Sequence, residues 1–258
     1  MVRALIAGVL IALCAALVGV PLVLRKNSML GDGLSHTAFA AVAVATVLGL
    51  TPLWVALPVT MLASFFILRI GKNRKISGDA AIAVLSASAL AVGTMAISVS
   101  AGVNIDLNSY LFGSVLAVGM TDVIVTAVLS VVVVLLFTLS FHRIFAITFD
   151  ENFARSIGLK TELYDAIFAV ICSAVVVLGM RLLGSLLISS LIIFPTLTAM
   201  SIARTFKGTT VLAVVISVVA FVIGLLISFL AATPTGATVV VANLVIFVVT
   251  KLVKIVLK

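Results

Sequence analysis

The chain has 258 residues, 64% of them hydrophobic and 9% charged, against about 25% charged in an ordinary soluble domain. A water-soluble fold has too little polar surface to cover that composition, and long apolar runs recur throughout, so no separate soluble module is expected and the chain reads as one membrane domain. A net charge of +8 does not point to nucleic acid, because the basic residues are scattered between apolar runs without a continuous basic face.

A spanning helix needs about 20 mainly apolar residues. Cut at its charges, prolines and glycines, the chain gives such runs at 4–24, 34–50, 53–70, 80–100, 121–141, 163–180, 182–203, 209–231 and 237–257. They predict an all-α polytopic bundle of about nine transmembrane helices. Continuous apolarity excludes the alternative, a closed barrel. The first run follows Arg3 but is long enough to cross a bilayer, and it ends at Arg25-Lys26 instead of a small-residue cleavage site. It therefore reads as a mature span and not as a secretory signal. Cys14 and Cys172 lie inside apolar runs without CxxC spacing and read as small buried hydrophobes.

Lysine and arginine are retained in short cytoplasmic loops. Basic segments at 25–26, 71–75, 143–160, 204–207 and the tail are each separated by two spans, so one orientation places all of them inside. The intervening turns carry Arg181 as their basic residue, and an odd number of spans leaves the N-terminus outside. Two connections are longer than a hairpin needs. Residues 101–120, with Asp106, Asn108, Tyr110 and Gly113, suit a short re-entrant element near the outer face. Residues 143–162 are the most charged stretch. There Asp150 and Glu151 open a short helical pattern, Phe149, Phe153, Ala154 and Ile157 are spaced as one apolar stripe, and Gly158 is a stop. Such a helix suits docking on the cytoplasmic face or lying at the lipid interface.

Ionisable groups inside a membrane cost at least about 2.5–3.5 kcal/mol near a helix centre, so they are candidates for function. Asp79, Asp106, Asp122, Asp150, Glu151, Glu162 and Asp165 fall in loops or at helix ends. Asp32 differs, because His36 follows four positions later in GDGLSHTAFAAVA. That spacing puts a carboxylate and an imidazole on one helix face, about 6 Å apart along the axis. An oxygen and a nitrogen donor suit a borderline divalent ion such as zinc or manganese. Two donors are too few for a closed structural site, which fits a site that must release its ion. The competing readings are an N-cap role for Asp32 and a hydrogen-bonded core histidine for His36; His142, beside Arg143, reads as a boundary residue. The sequence has no HExxH, no phosphate-binding glycine loop and no GxSxG elbow. The chain itself is thus not expected to be an enzyme, and transport against a gradient would draw on a partner ATPase or on ion coupling through buried carboxylates, of which the spans hold too few.

Three segments carry a family resemblance. They are Leu24-Arg25 through Gly31-Asp32-Gly33-Leu34-Ser35-His36, then Tyr110-Leu111-Phe112-Gly113, and then Gly184 through Pro195 with Thr198-Ala199. Gly78-Asp79-Ala80 through Gly93 and Phe149-Asp150-Glu151 through Gly158-Leu159 extend it almost end to end. In these the sequence resembles the zinc and manganese importer family of ATP-binding-cassette permeases. The resemblance implies a single transmembrane permease domain over 1–258, multi-pass in a bacterial-type cell membrane. It also implies a second permease copy, a cytoplasmic ATP-binding subunit that supplies ATP hydrolysis, and an extracytoplasmic metal-binding protein. Asp32 and His36 inherit the role of metal ligands, and Ser35, Ser88 and Asn108 stand as candidate pathway-lining residues. Phe149, Asp150, Glu151, Phe153, Ala154 and Gly158 fall in the segment that resembles the ATPase-coupling helix. Thr196-Leu197-Thr198 departs from the small residues common in relatives, which affects local helix packing and no proposed ligand. The rival readings are a permease for a metal chelate, such as a siderophore or corrinoid, and a membrane-embedded enzyme using His36 and Asp32 as an acid–base pair.

Overall fold

The computed structural model describes residues 2–70, 78–99 and 119–256. Regular structure there is entirely helical: α1 (Val2–Leu24), α2 (Leu30–Val47), α3 (Pro52–Ile70), α4 (Gly78–Val99), α5 (Met120–Leu139), α6 (Phe141–Phe149), α7 (Glu151–Ser156), α8 (Thr161–Leu183), α9 (Ser185–Ile202), α10 (Phe206–Ala231) and α11 (Thr235–Val256). Among the described residues nine helices, all but α6 and α7, are long and apolar enough to cross a membrane. The expected all-α polytopic bundle is therefore present. The expected element at 101–120, with Tyr110 to Gly113 and Asn108, lies outside the described residues apart from its last two positions.

In lipid there is little hydrophobic drive to join helices, so close backbone approach through small residues takes its place. α1 shows this most fully. Ala4, Ala7, Gly8, Ala12, Ala15, Ala16 and Gly19 are all buried, and the helix packs against α5, α8, α9 and α10 as the central post of the bundle. α1, α2 and α8 are mostly enclosed, whereas α4, α5 and α11 turn most of their surface outward.

Contacts between helix ends follow the parity read from the charges. At one end Arg25 pairs with Asp165, Lys254 donates to the Ser201 carbonyl, and Phe206 stacks against Phe141 and Phe145 with ring centroids 5.2 and 5.4 Å apart. At the opposite end Arg181 of α8 meets Asp122 of α5 at 3.3 Å.

Several helix ends differ from the sequence reading by up to four residues, and four differences carry a structural consequence. α2 starts at Leu30, not at 34, so Asp32 is inside the helix. The α8–α9 turn falls at Gly184 instead of Arg181, because Gly184 takes φ +91°, a conformation that side chains disfavour, and α8 runs on through Arg181 to reach it. The span expected to reach 141 stops at Leu139. The short helix expected from Asp150-Glu151 to a stop at Gly158 is present as α7, where Asp150 takes an extended backbone (φ −149°) and caps it by accepting from the Phe153 amide at 2.9 Å, but a further helix, α6, precedes it.

Candidate ion-binding site

α2 begins without a side-chain cap, its N-cap position being Met29. Asp32 is therefore not the N-cap that its position before an apolar run suggested; it lies in the first turn, where the helix dipole favours a carboxylate. One turn on, His36 Nε2 stands 3.6 Å from Asp32 Oδ2. That separation is too long for a hydrogen bond. Two donors each about 2.1 Å from one ion stand about 3.4 Å apart at the tetrahedral angle, so the pair is spaced as two ligands of a shared cation. Asp32 Oδ1 lies 3.4 Å from the Ser189 hydroxyl, whose single proton is shared between it and the nearer Ser185 carbonyl at 3.0 Å.

The first turn of α2 is wedged between two helices. A Cβ on Gly31 would lie 2.8 Å from Ile192 Cδ1 of α9, and one on Gly33 would lie 2.8 Å from Ile82 Cγ2 of α4. Gly31 and Gly33 thus allow close approach in an unbroken helix; they do not break its start, as transporter sites sometimes do. The contact with α9 also fixes depth. Ser189 is about 18 Å along α9 from Ser201, at 1.5 Å per residue, and Ser201 is the residue that meets Lys254 at the basic end. Although α2 follows a basic loop, Asp32 and His36 sit well inside the bundle.

The Asp32 side chain is 40% exposed and that of His36 22%. Among the described residues no third His, Cys, Asp or Glu joins them, so one chain offers two donors on an open face. Ser35 is fully buried and returns its hydroxyl to the Asp32 carbonyl at 2.8 Å, facing helix packing. Ser88 is exposed on α4 with its hydroxyl on the Val84 carbonyl at 2.7 Å. Asn108 lies outside the described residues.

The charged segment between α5 and α8 is built in two parts. Phe141, Phe145 and Phe149 form an aromatic stripe at helical spacing along α6, each ring packed on Phe206 at the start of α10. α7 follows, with Glu151 paired to Arg155 at 2.9 Å, and Gly158 closes it at φ +85°. The expected single stripe divides: Phe149, Phe153 and Ile157 are exposed, whereas Ala154 is fully buried against the bundle.

Sequence reading missed Ser189 as a neighbour of Asp32, although the Ser189-Ser190 pair in an apolar run was visible. It also assigned Arg25 to topology and Asp165 to a helix end, when the two form a 2.8 Å ion pair across 140 positions with side chains only 15% and 10% exposed. Arg181 and Asp122 were likewise read singly.

Comparison with known proteins agrees with this architecture. The profile of the ABC 3 transport family matches residues 1–254. The manganese import system permease protein ScaB of Streptococcus gordonii is 31% identical over 96% of this chain and 88% of its own. The high-affinity zinc uptake system membrane protein ZnuB of Haemophilus influenzae is 28% identical over 95% of this chain and 94% of its own. Among solved structures, PsaBC from Streptococcus pneumoniae, in complex with a Fab, superposes with a TM-score of 0.84 at 31% identity, covering 96% of this chain and 89% of that one. By these matches the chain belongs to the ABC 3 transport family, whose members are membrane permeases.

Proposed function

We infer that the chain is the membrane-spanning permease subunit of an ATP-driven importer of divalent transition-metal ions, zinc or manganese, multi-pass in a plasma membrane. The observation that carries this reading is the Asp32–His36 pair, one oxygen and one nitrogen donor 3.6 Å apart, on a helix held inside the bundle. The ion is the substrate, and Asp32 and His36 are its ligands on the way through. An exposed carboxylate at that depth is too costly to face hydrocarbon, which supports a second permease copy whose matching face encloses the passage and completes the ligand set. α7, with Phe153 and its C-cap Ile157 outward beside Phe149 at the end of α6, suits a groove on a cytoplasmic ATPase subunit that supplies ATP hydrolysis. An extracytoplasmic binding protein delivers the ion at the opposite face.

Uptake by the chain together with its ATPase in liposomes, with the metal-loaded binding protein supplied at the opposite face, tests the reading. ATP-dependent accumulation of radioactive zinc or manganese is expected, competed by the free divalent ions. Competition only by an intact chelate would instead assign a siderophore- or corrinoid-type permease. Chemical turnover by the isolated chain without an ATPase would assign an enzyme.

A further inference from the structure

We propose that the Arg25–Asp165 ion pair is the positioning link through which the cytoplasmic helix α7 sets the stance of Asp32 in the passage. The proposal rests on the reading of α7 as the ATPase-docking helix and of Asp32 and His36 as ion ligands.

The Arg25 guanidinium joins three elements. Its Nη1 donates to Asp165 Oδ1 at 2.8 Å, its Nη2 reaches the Ile147 carbonyl of α6 at 3.5 Å, and its own backbone leads into α2. Both side chains of the pair are nearly buried. Burial of an ion pair adds little stability relative to apolar residues of the same volume, because the desolvation cost offsets the attraction. Its value here is directional: a guanidinium in a low-dielectric site holds one partner in one geometry.

From α7 the contacts run without a gap. Arg155 is tied to Glu151 within α7 and donates through Nε to Thr161 Oγ1 at 3.0 Å. Thr161 opens α8, and Asp165 lies one turn further on the same face. Arg143 of α6 donates to the Tyr164 hydroxyl beside it. Beyond Arg25 the lead into α2 is hydrogen-bonded along its length, with Asn27 N–H on the Leu22 carbonyl at 2.9 Å and Leu30 N–H on the Asn27 carbonyl at 3.1 Å. A displacement of Arg25 is therefore handed to the first turn of α2 and not absorbed in slack chain. Since Gly31 and Gly33 hold that turn against Ile192 and Ile82, moving it changes the distance between Asp32 and Ser189. A polar cavity of 460 Å³ bordered by Arg25, Asn27, Thr148, Glu151, Arg155 and Asp165 gives the elements room to shift.

A staple that merely holds the fold would be expected to lower uptake and ATP hydrolysis together. A link between docking and site changes their ratio. With the permease and its ATPase reconstituted in liposomes and the metal-loaded binding protein supplied, both rates are read on one sample. Arg25→Met and Asp165→Asn should each lower ions transported per ATP hydrolysed about tenfold, with hydrolysis retained. The exchanged pair Arg25→Asp with Asp165→Arg should restore part of the ratio. Arg25→Lys, which keeps the charge but loses the planar fork, should fall between and serves if the others do not assemble. An unchanged ratio in assembled variants overturns this proposal alone. Wild-type protein that hydrolyses ATP without moving zinc or manganese overturns the importer reading, and this proposal with it.

Discussion

Asp32 and Ser189 touch each other but contribute very different amounts to the site. The carboxylate is a candidate ligand, so Asp32→Ala and His36→Ala should each abolish ATP-dependent uptake while the permease still assembles with its ATPase. The Ser189 hydroxyl only steadies Oδ1 at 3.4 Å. A long hydrogen bond that shares its proton with the Ser185 carbonyl is worth roughly 0.5–1 kcal/mol, so Ser189→Ala should raise the KM for the ion by about threefold and leave the maximal rate intact. Undiminished uptake in the Asp32 variant would reject the site. Acid should act through His36, since a protonated imidazole has no lone pair for the ion. At subsaturating metal the initial uptake rate should decline on acidification, because protons compete with the ion for the imidazole; a flat profile would argue against imidazole ligation. The two proposed ligands were legible because they share one helix at a spacing that any α-helix converts into a common face. Ser189, Arg25 and Asp165 were not, because their meaning arises only when α8 and α9 are folded against the start of α2.

The glycines of α2 differ in what faces them. Ile192 meets Gly31 with its flexible Cδ1, whereas Ile82 meets Gly33 with Cγ2, fixed at a branched β-carbon. Gly33→Ala should therefore destabilise by more than Gly31→Ala, at about 1–3 kcal/mol, read as a lower unfolding temperature in detergent. Equal shifts would show that α2 moves as a unit to relieve either clash. On the cytoplasmic side, Phe153 and Ile157 are outward-facing, so Phe153→Ala or Ile157→Asp should weaken copurification of the ATPase and leave the thermal stability of the permease unchanged. Ala154→Leu should do the reverse, since that position is fully buried. The existence of all nine spans could be read from apolar length alone. The helix α6 could not, because Phe141 reads as the end of a span and Phe149 as part of the docking stripe until Phe206 gives Phe141, Phe145 and Phe149 one surface to lie on.

The bundle as a whole is organised around buried α1, with α8 beside it carrying an ion pair near each end: Asp165 with Arg25, and Arg181 with Asp122. The Arg181–Asp122 pair is the wetter, Arg181 being 53% exposed, so added salt should screen it while leaving the nearly buried Arg25–Asp165 pair untouched. The charges that set the orientation thus also fasten the helix ends. One consequence lies in Gly184. Because that residue alone separates α8 from α9, the two helices form a stiff prong with almost no hinge. Any sliding of α8 under its cytoplasmic tether should reappear, reversed in chain direction, at Ser189 on the returning arm. A short glycine insert after Gly184 should loosen that prong, so that ATP is still consumed yet fewer ions cross per cycle, even with every ligand and every ion pair in place.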